Sequence, residues 1–395
     1  MEQLADISTP SYGILDAHYQ EQRRAFRAFA EKEIVPIANA YDNAQVFPVS
    51  LIGKMSALGF LGATIPLEYG GQGWDQVTAG LLYEEIGRAC SSARSLLTVH
   101  LSLVSETINR WGSKAQKKNW LPSLASGEKI AAFCLTEPTA GSDAKSVQAT
   151  YHYEEDKVVI NGRKRWTTFG QSADVYLVFA RQDEKLSAFL VPRNTPGVSV
   201  SPVHDILGTR ASMIAHVTFD NCVLPADSLL GKEGFGFTTI MNTALDNGRF
   251  SVALGCLGIL KCCLEESMHY ASSRKQFGQY LNEHQLIQQK IAAMILDVKT
   301  AGTLCYNAAY RRKEKQPNAF IQTSLAKYHA STSANRAAKE AVQILGAIGC
   351  SGENTAQRCF RDAKVMEIIE GSSEMQQLLI SDFGFKDLQS MLEDE

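Results

Sequence analysis

Residues 158–168 read Val-Val-Ile-Asn-Gly-Arg-Lys-Arg-Trp-Thr-Thr, and they mark the point at which the chain changes character. Asn-Gly between two runs of β-forming residues is typical of a β-hairpin, because both residues tolerate the positive φ angles of a type I′ turn. Further short apolar or alternating runs lie between turn residues at 176–181, 186–192 and 216–219. These runs predict a block of strands from about residue 129 to residue 230.

Helical patterns flank this block on both sides. Apolar residues recur at helical spacing within residues 16–127, namely at Phe26, Phe29, Ala30 and Ile34 and again at Leu81, Leu82 and Ile86. Beyond residue 235, four long helices are predicted at 239–274, 282–313, 317–347 and 354–369. Helices, then strands, then helices predict an α+β fold. We expect an N-terminal helical domain at 1–128, a middle β domain at 129–232 and a C-terminal helical bundle at 233–395.

The composition argues against several classes of protein. A net charge of −3 disfavours a nucleic-acid binder, since phosphate binding needs a basic excess. The nine cysteines form no CxxC pair and have no histidine at zinc-ligand spacing, so we expect no metal site and buried thiols in a reducing compartment. No apolar run reaches the length of a membrane span. Residues 1–18 lack the basic and apolar regions of a signal peptide and are too acidic for a mitochondrial presequence, which predicts a cytoplasmic protein.

Four segments carry sequence motifs. They are Cys134–Asp143 (CLTEPTAGSD), Trp166–Thr168 (WTT), Arg274–Gly278 (RKQFG) with Gln285 behind it, and Ile369–Ser373 (IEGSS). In this order they resemble the signature elements of the acyl-CoA dehydrogenase family, which are xxTEPxAGSD, a WxT flavin-contact strand, RxxFG…Q and a terminal EG[TS]S block. One such motif is weak evidence, whereas four in register are specific.

The resemblance implies both a fold and a reaction. The fold has an N-terminal helical domain, a middle β-barrel-like domain and a C-terminal four-helix bundle. The reaction uses FAD: the α-proton of an acyl thioester passes to a base, and the β-hydride passes to the flavin. In the family the glutamate of the EG[TS]S block is that base, and here it is Glu370. Burial raises the pKa of such a carboxyl, which suits the abstraction of a weakly acidic C–H proton.

Two other readings bear on Glu370. It can instead stabilise the start of a helix at Ser372 or Ser373. Some family members also carry the base on a central helix, immediately before an arginine. That arginine resembles Arg249 here, and the position before it is Gly248, which cannot accept a proton.

The ligand contacts of the family map onto matching positions. By resemblance, one set surrounds the flavin: Phe133, Leu135, Thr136, Trp166 and Thr168, with Ser142, Ser372 and Glu374. A second set binds the FAD pyrophosphate and adenosine of a neighbouring subunit: Arg274, Gln276, Phe277, Gln285, Gln343, Ile344 and Gly346. The substrate set is Arg94, Ser142, Arg249 and Gly371. A shared cofactor implies a homotetramer or homodimer. The alternative reading is core packing for Phe277 and Ile344, and a solvated charge for Arg274.

Departures from the common pattern point to the substrate. Phe169, Ala347 and Ile369 stand where the family usually has Asn, Gly and Tyr. Arg94 lies in Ala93–His100 (ARSLLTVH), which resembles the segment by which glutaryl-CoA dehydrogenases present an arginine to the far carboxylate of their substrate. The alternative for Arg94 is a charge at a helix end that faces water.

The most similar subgroup is the acyl-carrier-protein dehydrogenases of hydroxymalonyl/methoxymalonyl or aminomalonyl extender-unit biosynthesis. This resemblance rests on residues 94–100, 164–178, 243–250 and 360–374. It implies a glyceryl-, hydroxyacyl- or aminoacyl group on an acyl carrier protein in a polyketide or peptide antibiotic pathway. Carrier proteins are acidic, so a basic surface favours docking. The candidates are Lys114, Lys117 and Lys118, or else Arg311, Arg312, Lys313 and Lys315.

Other functions remain open. The first alternative is a catabolic short-chain or glutaryl-type acyl-CoA dehydrogenase. A second is a flavin monooxygenase on the same scaffold, although such relatives generally lack the base. A third is a nucleic-acid-associated relative, which is expected to have a basic C-terminal extension where this chain reads Met391-Leu392-Glu393-Asp394-Glu395. The expected electron acceptor is an electron-transfer flavoprotein.

Overall fold

The computed structural model describes residues 15–393, and the first part of this range is helical. Its helices are α1 (Ala17–Phe29), α2 (Val35–Ala44), α3 (Val49–Ala57), α4 (Gln76–Ala89), α5 (Ser91–Leu97), α6 (Glu106–Trp111) and α7 (Lys114–Ala125). The predicted core positions Phe26, Ala30 and Ile34 are buried, as are Leu81, Leu82 and Ile86. A π-helical segment, Thr98–Ser105, joins α5 to α6. Most of residues 1–18, on which the prediction about targeting signals rests, lie outside the described residues.

Eight strands form one sheet in the middle of the chain. They are β1 (Ala131–Cys134), β2 (Thr150–Glu154), β3 (Lys157–Thr167), β4 (Val175–Gln182), β5 (Lys185–Pro192), β6 (Val198–Pro202), β7 (Ala215–Pro225) and β8 (Leu229–Leu230). The order is β6-β7-β3-β2-β4-β5-β8, and β1 pairs with β4 in parallel. The runs predicted at 176–181, 186–192 and 216–219 lie within β4, β5 and β7. The predicted β block is thus confirmed.

The hairpin predicted at Asn161-Gly162 is wrong, because both residues lie inside strand β3. The hairpin turn lies instead at Glu155 (φ 55°) and Asp156, which connect β2 to β3. Strand β3 pairs with β7 along both of its halves, with a register shift between Ile160 and Gly162. Local turn propensity favours a break at Asn-Gly, but pairing with β7 satisfies the backbone of the whole strand.

Beyond the sheet the chain is helical again. The elements are α8 (Asn242–Ser273), a small hairpin of β9 (Lys275–Gln276) and β10 (Gln279–Tyr280), then α9 (Gln285–Lys313), α10 (Ala319–Leu345), α11 (Thr355–Met366) and α12 (Ser373–Glu393). The four helices α8 to α11 confirm the four predicted segments to within a few residues, and the α+β fold class with them. No helix within residues 15–393 is long and apolar enough to cross a membrane.

Helix α8 forms the centre of this bundle. Every residue from Phe250 to Leu264 is buried, and the helix packs against α4, α9, α10 and α11. Because α8 is packed on all faces, it is held rigidly, and the side chains that contact it have fixed positions. Eight of the nine cysteines are buried as expected, but Cys350 is exposed.

Candidate active site

Glu370 lies in the turn between α11 and α12 in a strained backbone conformation. Its φ is 55°, and that of the next residue, Gly371, is 89°. The left-handed region suits glycine, whereas for a glutamate it costs about 1–3 kcal/mol. Such strain persists where the surrounding structure holds it, and it is typical of functional sites.

Four hydrogen bonds hold this turn through its two carbonyl groups. The Glu370 carbonyl accepts from Arg249 Nε at 3.2 Å and from Gln376 Nε2 at 3.3 Å. The Gly371 carbonyl accepts from Gln376 Nε2 at 3.1 Å and from Lys327 Nζ at 2.8 Å. These donors come from α8, α10 and α12, so the turn is fixed from three directions. Sequence patterns gave no signal for Gln376 or Lys327.

The carboxylate of Glu370 packs directly against Gly248 of α8. A Cβ at position 248 would lie 2.7 Å from Glu370 Cδ and 2.8 Å from Leu103 Cδ2 of the π-helical segment. Glu370 Oε2 is buried and has no hydrogen-bond partner within the described residues. Burial raises the pKa of Glu370 to about 7, and the charges of Arg249, Lys327 and Arg94 oppose this rise. A carboxylate in this state can take up a proton near neutral pH.

The reading of Glu370 as a helix-end residue does not fit this geometry. Helix α12 begins at Ser373, and the hydroxyl oxygen of Ser372 accepts from Met375 N at 3.4 Å. Glu374 is the exposed acidic residue of its first turn. The Glu370 side chain faces α8 instead.

Arg94 is buried, so the reading of a charge that faces water is excluded. Only 1% of the residue is exposed. Its guanidinium donates to Thr98 Oγ1 and to Met366 Sδ, both at 2.8 Å, and its Nε is buried without a partner. Thr98 Oγ1 also lies 2.7 Å from Ser251 Oγ on α8. Burial lowers the pKa of Arg94, and no carboxylate of the described residues forms an ion pair with it.

Two glycines place Glu370 and Arg94 along the same face of α8. A Cβ at Gly248 would meet the Glu370 carboxylate, and a Cβ at Gly255 would lie 2.7 Å from Arg94 Nε. Seven residues of α-helix rise about 10 Å, which is close to two turns. The contact with the proton acceptor and the contact with the cation are therefore about 10 Å apart along α8, and the hydroxyl groups of Thr98 and Ser251 lie near the cation. The neighbouring wall is the π-helical segment, a geometry that is frequent at functional sites.

The structure brings five residues of the first predicted flavin set to one edge of the middle domain, whereas Ser372 and Glu374 lie at the start of α12. Phe133 lies in β1, Leu135 and Thr136 follow it, and Trp166 and Thr168 lie at the end of β3. The backbone N–H of Arg165 donates to the Thr136 carbonyl at 2.8 Å. Ser142 is exposed further along the loop. The two motifs thus form one edge of the middle domain.

A buried ion pair supports this edge. Lys164 Nζ lies 2.7 Å from Glu137 Oε1 and 3.2 Å from the Leu135 carbonyl, and both charged side chains are almost wholly inaccessible. Glu137 also accepts from the backbone N–H groups of Gln148 and Ala149. Neither Lys164 nor Glu137 was predicted as a site residue, although Glu137 lies within the first motif and Lys164 lies two residues before the second.

Trp166 is turned outward by a β-bulge. The register of β3 against β7 shifts between Lys164 and Thr167, and Trp166 has a φ of 59°. Bulges often redirect a side chain next to an active site. As a result 52% of Trp166 is exposed, with its ring edge-on to His216 at 5.6 Å. Phe169, which replaces the usual Asn, is buried against Phe47 and does not share this surface.

The second predicted set lies at the surface. Phe277 (φ 53°) and Gly278 (φ 85°) form the tight turn between β9 and β10, as a type I′ turn requires. Phe277 is 95% exposed, so core packing is excluded for it. Arg274, Gln276, Gln285, Gln343 and Gly346 are also exposed. Ile344 is the exception: its side chain is buried within the described chain, which favours core packing for it.

One of the two predicted basic surfaces is not a free patch. Arg312 is half-buried and donates to Asp246 and Asn247, and Lys313 donates to Tyr19 and lies 3.6 Å from Asp75. Their charges are compensated within the chain. Lys114 and Lys118, by contrast, are exposed on α7.

Comparison with known proteins places the chain among described relatives. It matches three family profiles: "Acyl-CoA dehydrogenase, N-terminal domain" at 16–128, "middle domain" at 132–222 and "C-terminal domain" at 234–384. The mitochondrial short-chain specific acyl-CoA dehydrogenase of Homo sapiens is 41% identical over 361 residues, which cover 90% of this chain and 87% of that protein.

Solved structures are similar over almost the full length. A glutaryl-coenzyme A dehydrogenase in complex with glutaryl-CoA superposes with a TM-score of 0.90 at 35% identity, covering 93% of this chain and 95% of that one. FkbI, described as serving biosynthesis of the methoxymalonyl extender unit of the polyketide FK520, has a TM-score of 0.85 at 32% identity and covers 91% and 99%.

Proposed function

This chain belongs to the acyl-CoA dehydrogenase family of FAD-dependent oxidoreductases that act on acyl thioesters, and we propose that its substrate is a short acyl thioester with a polar far end. Glu370 is the proposed base, and Arg94 is the proposed anchor for the polar group. One observation carries the proposal: the buried guanidinium of Arg94 has an unpartnered Nε on the same face of α8 as the Glu370 carboxylate.

The residues at two exposed edges fit FAD. Near the ring we place Phe133, Leu135, Thr136, Trp166 and Thr168, where a bulge exposes the Trp166 ring and the Thr136 and Thr168 side chains are half-buried. For the pyrophosphate and adenosine of a neighbouring subunit we place Arg274, Gln276, Phe277 and Gln285, with Gln343 and Gly346. Arg274 can bind phosphate oxygens bidentately. Phe277 is 95% exposed, and contact with a ligand or another subunit would remove its apolar ring from water. When bound, FAD accepts the hydride from the β-carbon of the acyl group.

Glu370 would take the α-proton at Oε2. The ionised form accepts the proton, and burial then favours the neutral acid that results. Three cations limit the rise in the pKa of Glu370, so that a substantial fraction is ionised near pH 7. Gly248 leaves room for the carboxylate, while the bonds from Arg249, Lys327 and Gln376 hold the turn behind it.

The far end of the acyl group would meet Arg94. A long alkyl chain there leaves a buried cation without compensation, which is costly. An oxygen acceptor, either hydroxyl or carboxylate, satisfies the guanidinium, whereas a protonated amine is repelled by it. The proposed spacing of about 10 Å from base to anchor also limits the chain to a few carbons. A glyceryl or other hydroxyacyl group, or a short dicarboxylic acyl group, meets these requirements.

We favour a carrier protein as the bearer of this group, in the biosynthesis of a polyketide or peptide extender unit. Loss of the α-proton and the β-hydride from a 3-hydroxyacyl thioester leaves an enol, which tautomerises to an aldehyde. The likeness to FkbI supports this reading, and the exposed Lys114 and Lys118 are the proposed contact for an acidic carrier.

A second candidate is the same reaction on a CoA thioester. The 41% identity to a short-chain specific acyl-CoA dehydrogenase favours it for butyryl-like groups, and the likeness to a glutaryl-CoA dehydrogenase favours it for a dicarboxylic group that meets Arg94. A flavin monooxygenase is not favoured, because its reaction would not use a buried carboxylate at the position of Glu370.

Partners follow from the exposed surface. Large apolar side chains are exposed on α9 and α12, including Leu286 at 74%, Leu296 at 64% and Phe385 at 72%. Extended apolar surface of this kind is typical of protein interfaces, so we propose a homotetramer or homodimer. An electron-transfer flavoprotein is the proposed acceptor of the electrons.

Anaerobic titration tests the proposal. Purified protein is mixed in turn with butyryl-CoA, glutaryl-CoA and a carrier protein loaded with a glyceryl group, and bleaching of the flavin absorbance is followed. We expect the fastest bleaching with a polar acyl group, and none with Glu370→Gln. Bleaching by butyryl-CoA alone would reject the polar far end, and bleaching of Glu370→Gln at the wild-type rate would reject the proposed base.

A further inference from the structure

Lys327 is a buried lysine behind the Glu370–Gly371 turn that sequence reasoning did not single out. It lies in the middle of α10 with no accessible surface. Its Nζ donates to the Gly371 carbonyl at 2.8 Å, and within residues 15–393 the ammonium group makes no second hydrogen bond. An ammonium group has three donors. Most of its hydrogen-bonding capacity is therefore unused.

The other fully buried lysines of the described chain are arranged differently. Lys164 forms a direct ion pair with Glu137, and Lys261 forms one with Glu84. Such pairs compensate the charge where it is buried. Lys327 has no such partner, since the carboxylates of Glu370 and Glu367 act on it only through space. Burial of a cation without an ion pair is costly, so the presence of Lys327 at this position calls for a different explanation.

We infer that Lys327 is a positioning residue for proton abstraction by Glu370, because its bond to the Gly371 carbonyl fixes the turn and its charge acts on the carboxylate. This inference rests on the proposed function, since it gives Lys327 a role in that reaction. Two consecutive residues with positive φ have no helical bonds of their own to fix them. A donor from a rigid neighbouring helix therefore sets where Glu370 points, and preorganisation of this kind is what catalysis requires.

The charges around the turn come from three helices. Glu370 faces Arg249 from α8, Lys327 from α10 and Arg94 from α5, and all three lower a pKa that burial raises. Lys327 in turn is affected by burial first, which lowers its pKa to about 8, while Cys256, Glu370 and Glu367 oppose this effect and Arg249 adds to it. At neutral pH Lys327 is mostly charged. Its loss removes one of three cations that keep Glu370 ionised.

Three variants separate the bond from the charge. Lys327→Met removes both, and Lys327→Gln keeps a donor for the Gly371 carbonyl but no charge. Lys261→Met is the matched control, since it removes another fully buried lysine from the adjacent helix α8. For each variant we measure bound FAD, thermal unfolding and the anaerobic rate of flavin reduction against pH. The probe is whichever of butyryl-CoA, glutaryl-CoA and glyceryl-carrier protein reduces the wild type fastest.

The expected result is a shift in the pH profile. In Lys327→Met, flavin reduction at pH 7 falls by about tenfold to a hundredfold, and the acid limb moves up by about one pH unit or more. Lys327→Gln shows the same shift with a smaller loss of rate. Lys261→Met loses thermal stability, but its acid limb stays at the wild-type pH.

An unshifted acid limb in an FAD-loaded Lys327 variant would overturn the inference, because a structural lysine affects stability alone. If the Met variant does not fold, the Gln variant decides in the same way. Failure of the proposed function is a distinct outcome: the wild type is then not bleached by any of the three probes, or Glu370→Gln is bleached normally.

Discussion

The carboxylate of Glu370 occupies the space that a side chain at position 248 would fill. Some relatives are expected to carry their base at the position of Gly248, and here the two positions compete for one volume. A Cβ on residue 248 would approach Glu370 Cδ to 2.7 Å and Leu103 Cδ2 to 2.8 Å. The glycine is thus not merely the absence of a second base. It is the condition under which Glu370 can reach the site.

Gly248→Ala is therefore expected to impair flavin reduction with little loss of FAD. One methyl group displaces the carboxylate, and a displacement of about 1 Å costs on the order of a hundredfold in rate. The matched control is Gly53→Ala in the exposed part of α3, where a Cβ meets no atom within 4 Å. That variant should retain full activity and gain up to about 1 kcal/mol of stability. Equal activity of the two variants in stopped-flow reduction would refute the argument.

The pH dependence of the reaction follows from the raised pKa of Glu370. The base must be ionised, so the rate of flavin reduction should fall as the pH drops through about 7. The check is a profile of kcat/KM from about pH 4 to about pH 9, a span that includes the ordinary pKa of glutamate, with a nonionisable acyl group such as butyryl. A flat profile down to the ordinary range of glutamate would show that the carboxylate is not desolvated.

The raised pKa of Glu370 also affects stability: raising the pH increases the rate of flavin reduction but decreases the contribution of Glu370 to stability. A carboxyl whose pKa is raised on folding stabilises the native state at low pH, and this contribution is lost as the pH rises through the folded pKa of about 7. Glu370→Gln mimics the neutral form. At pH 8 we expect the free energy of unfolding of Glu370→Gln, measured by denaturant titration, to exceed that of the wild type by up to about 3 kcal/mol. This difference in free energy should narrow towards pH 4.5. A gap independent of pH would contradict the assignment.

Sequence periodicity predicted the elements well where one face is buried. Phe26, Ala30 and Ile34 are buried at the spacing that predicted their helix, and the four C-terminal helices lie where expected. Asn161-Gly162 failed because turn propensity is a local property, whereas the pairing of β3 with β7 is not. Phe277-Gly278 forms a β-hairpin turn with two positive φ angles, and its bulky aromatic residue is not the residue type that predicts such a turn.

The site was predictable only in part. Motifs located Glu370, Trp166 and Gly248, since those positions follow a linear pattern. Lys327 and Gln376 contact the catalytic turn from helices that are distant in sequence, and nothing in their own segments marks them. Burial of Arg94 likewise depends on α8, where Gly255 makes room for its guanidinium.

Arg94→Met is expected to change specificity more than activity. A hydrogen bond to a charged group contributes about 1.5–3 kcal/mol, which corresponds to roughly a tenfold to hundredfold loss of kcat/KM for a polar acyl group. Butyryl-CoA has no polar far end, so it serves as the internal control: removal of one of the three cations around Glu370 lowers the rate with both substrates at neutral pH, and the additional loss is confined to the polar substrate. Parallel losses on both substrates would mean that Arg94 supports the fold and not the substrate.

The ion pair between Lys164 and Glu137 should govern FAD retention. Lys164→Met leaves a buried carboxylate that still accepts from the backbone N–H of Ala149 but has lost its cation, and breaking a buried pair in this way costs about 3–5 kcal/mol. The loop that carries Leu135 and Thr136 is then released from β3, so FAD should dissociate on dilution and no longer raise the unfolding temperature. The double variant Lys164→Met/Glu137→Gln removes the orphaned charge and should recover most of the stability. Flavin fluorescence on dilution and thermal unfolding with added FAD measure both effects. If the double variant is as unstable as the single one, the loop is held by its backbone bonds and the pair is incidental.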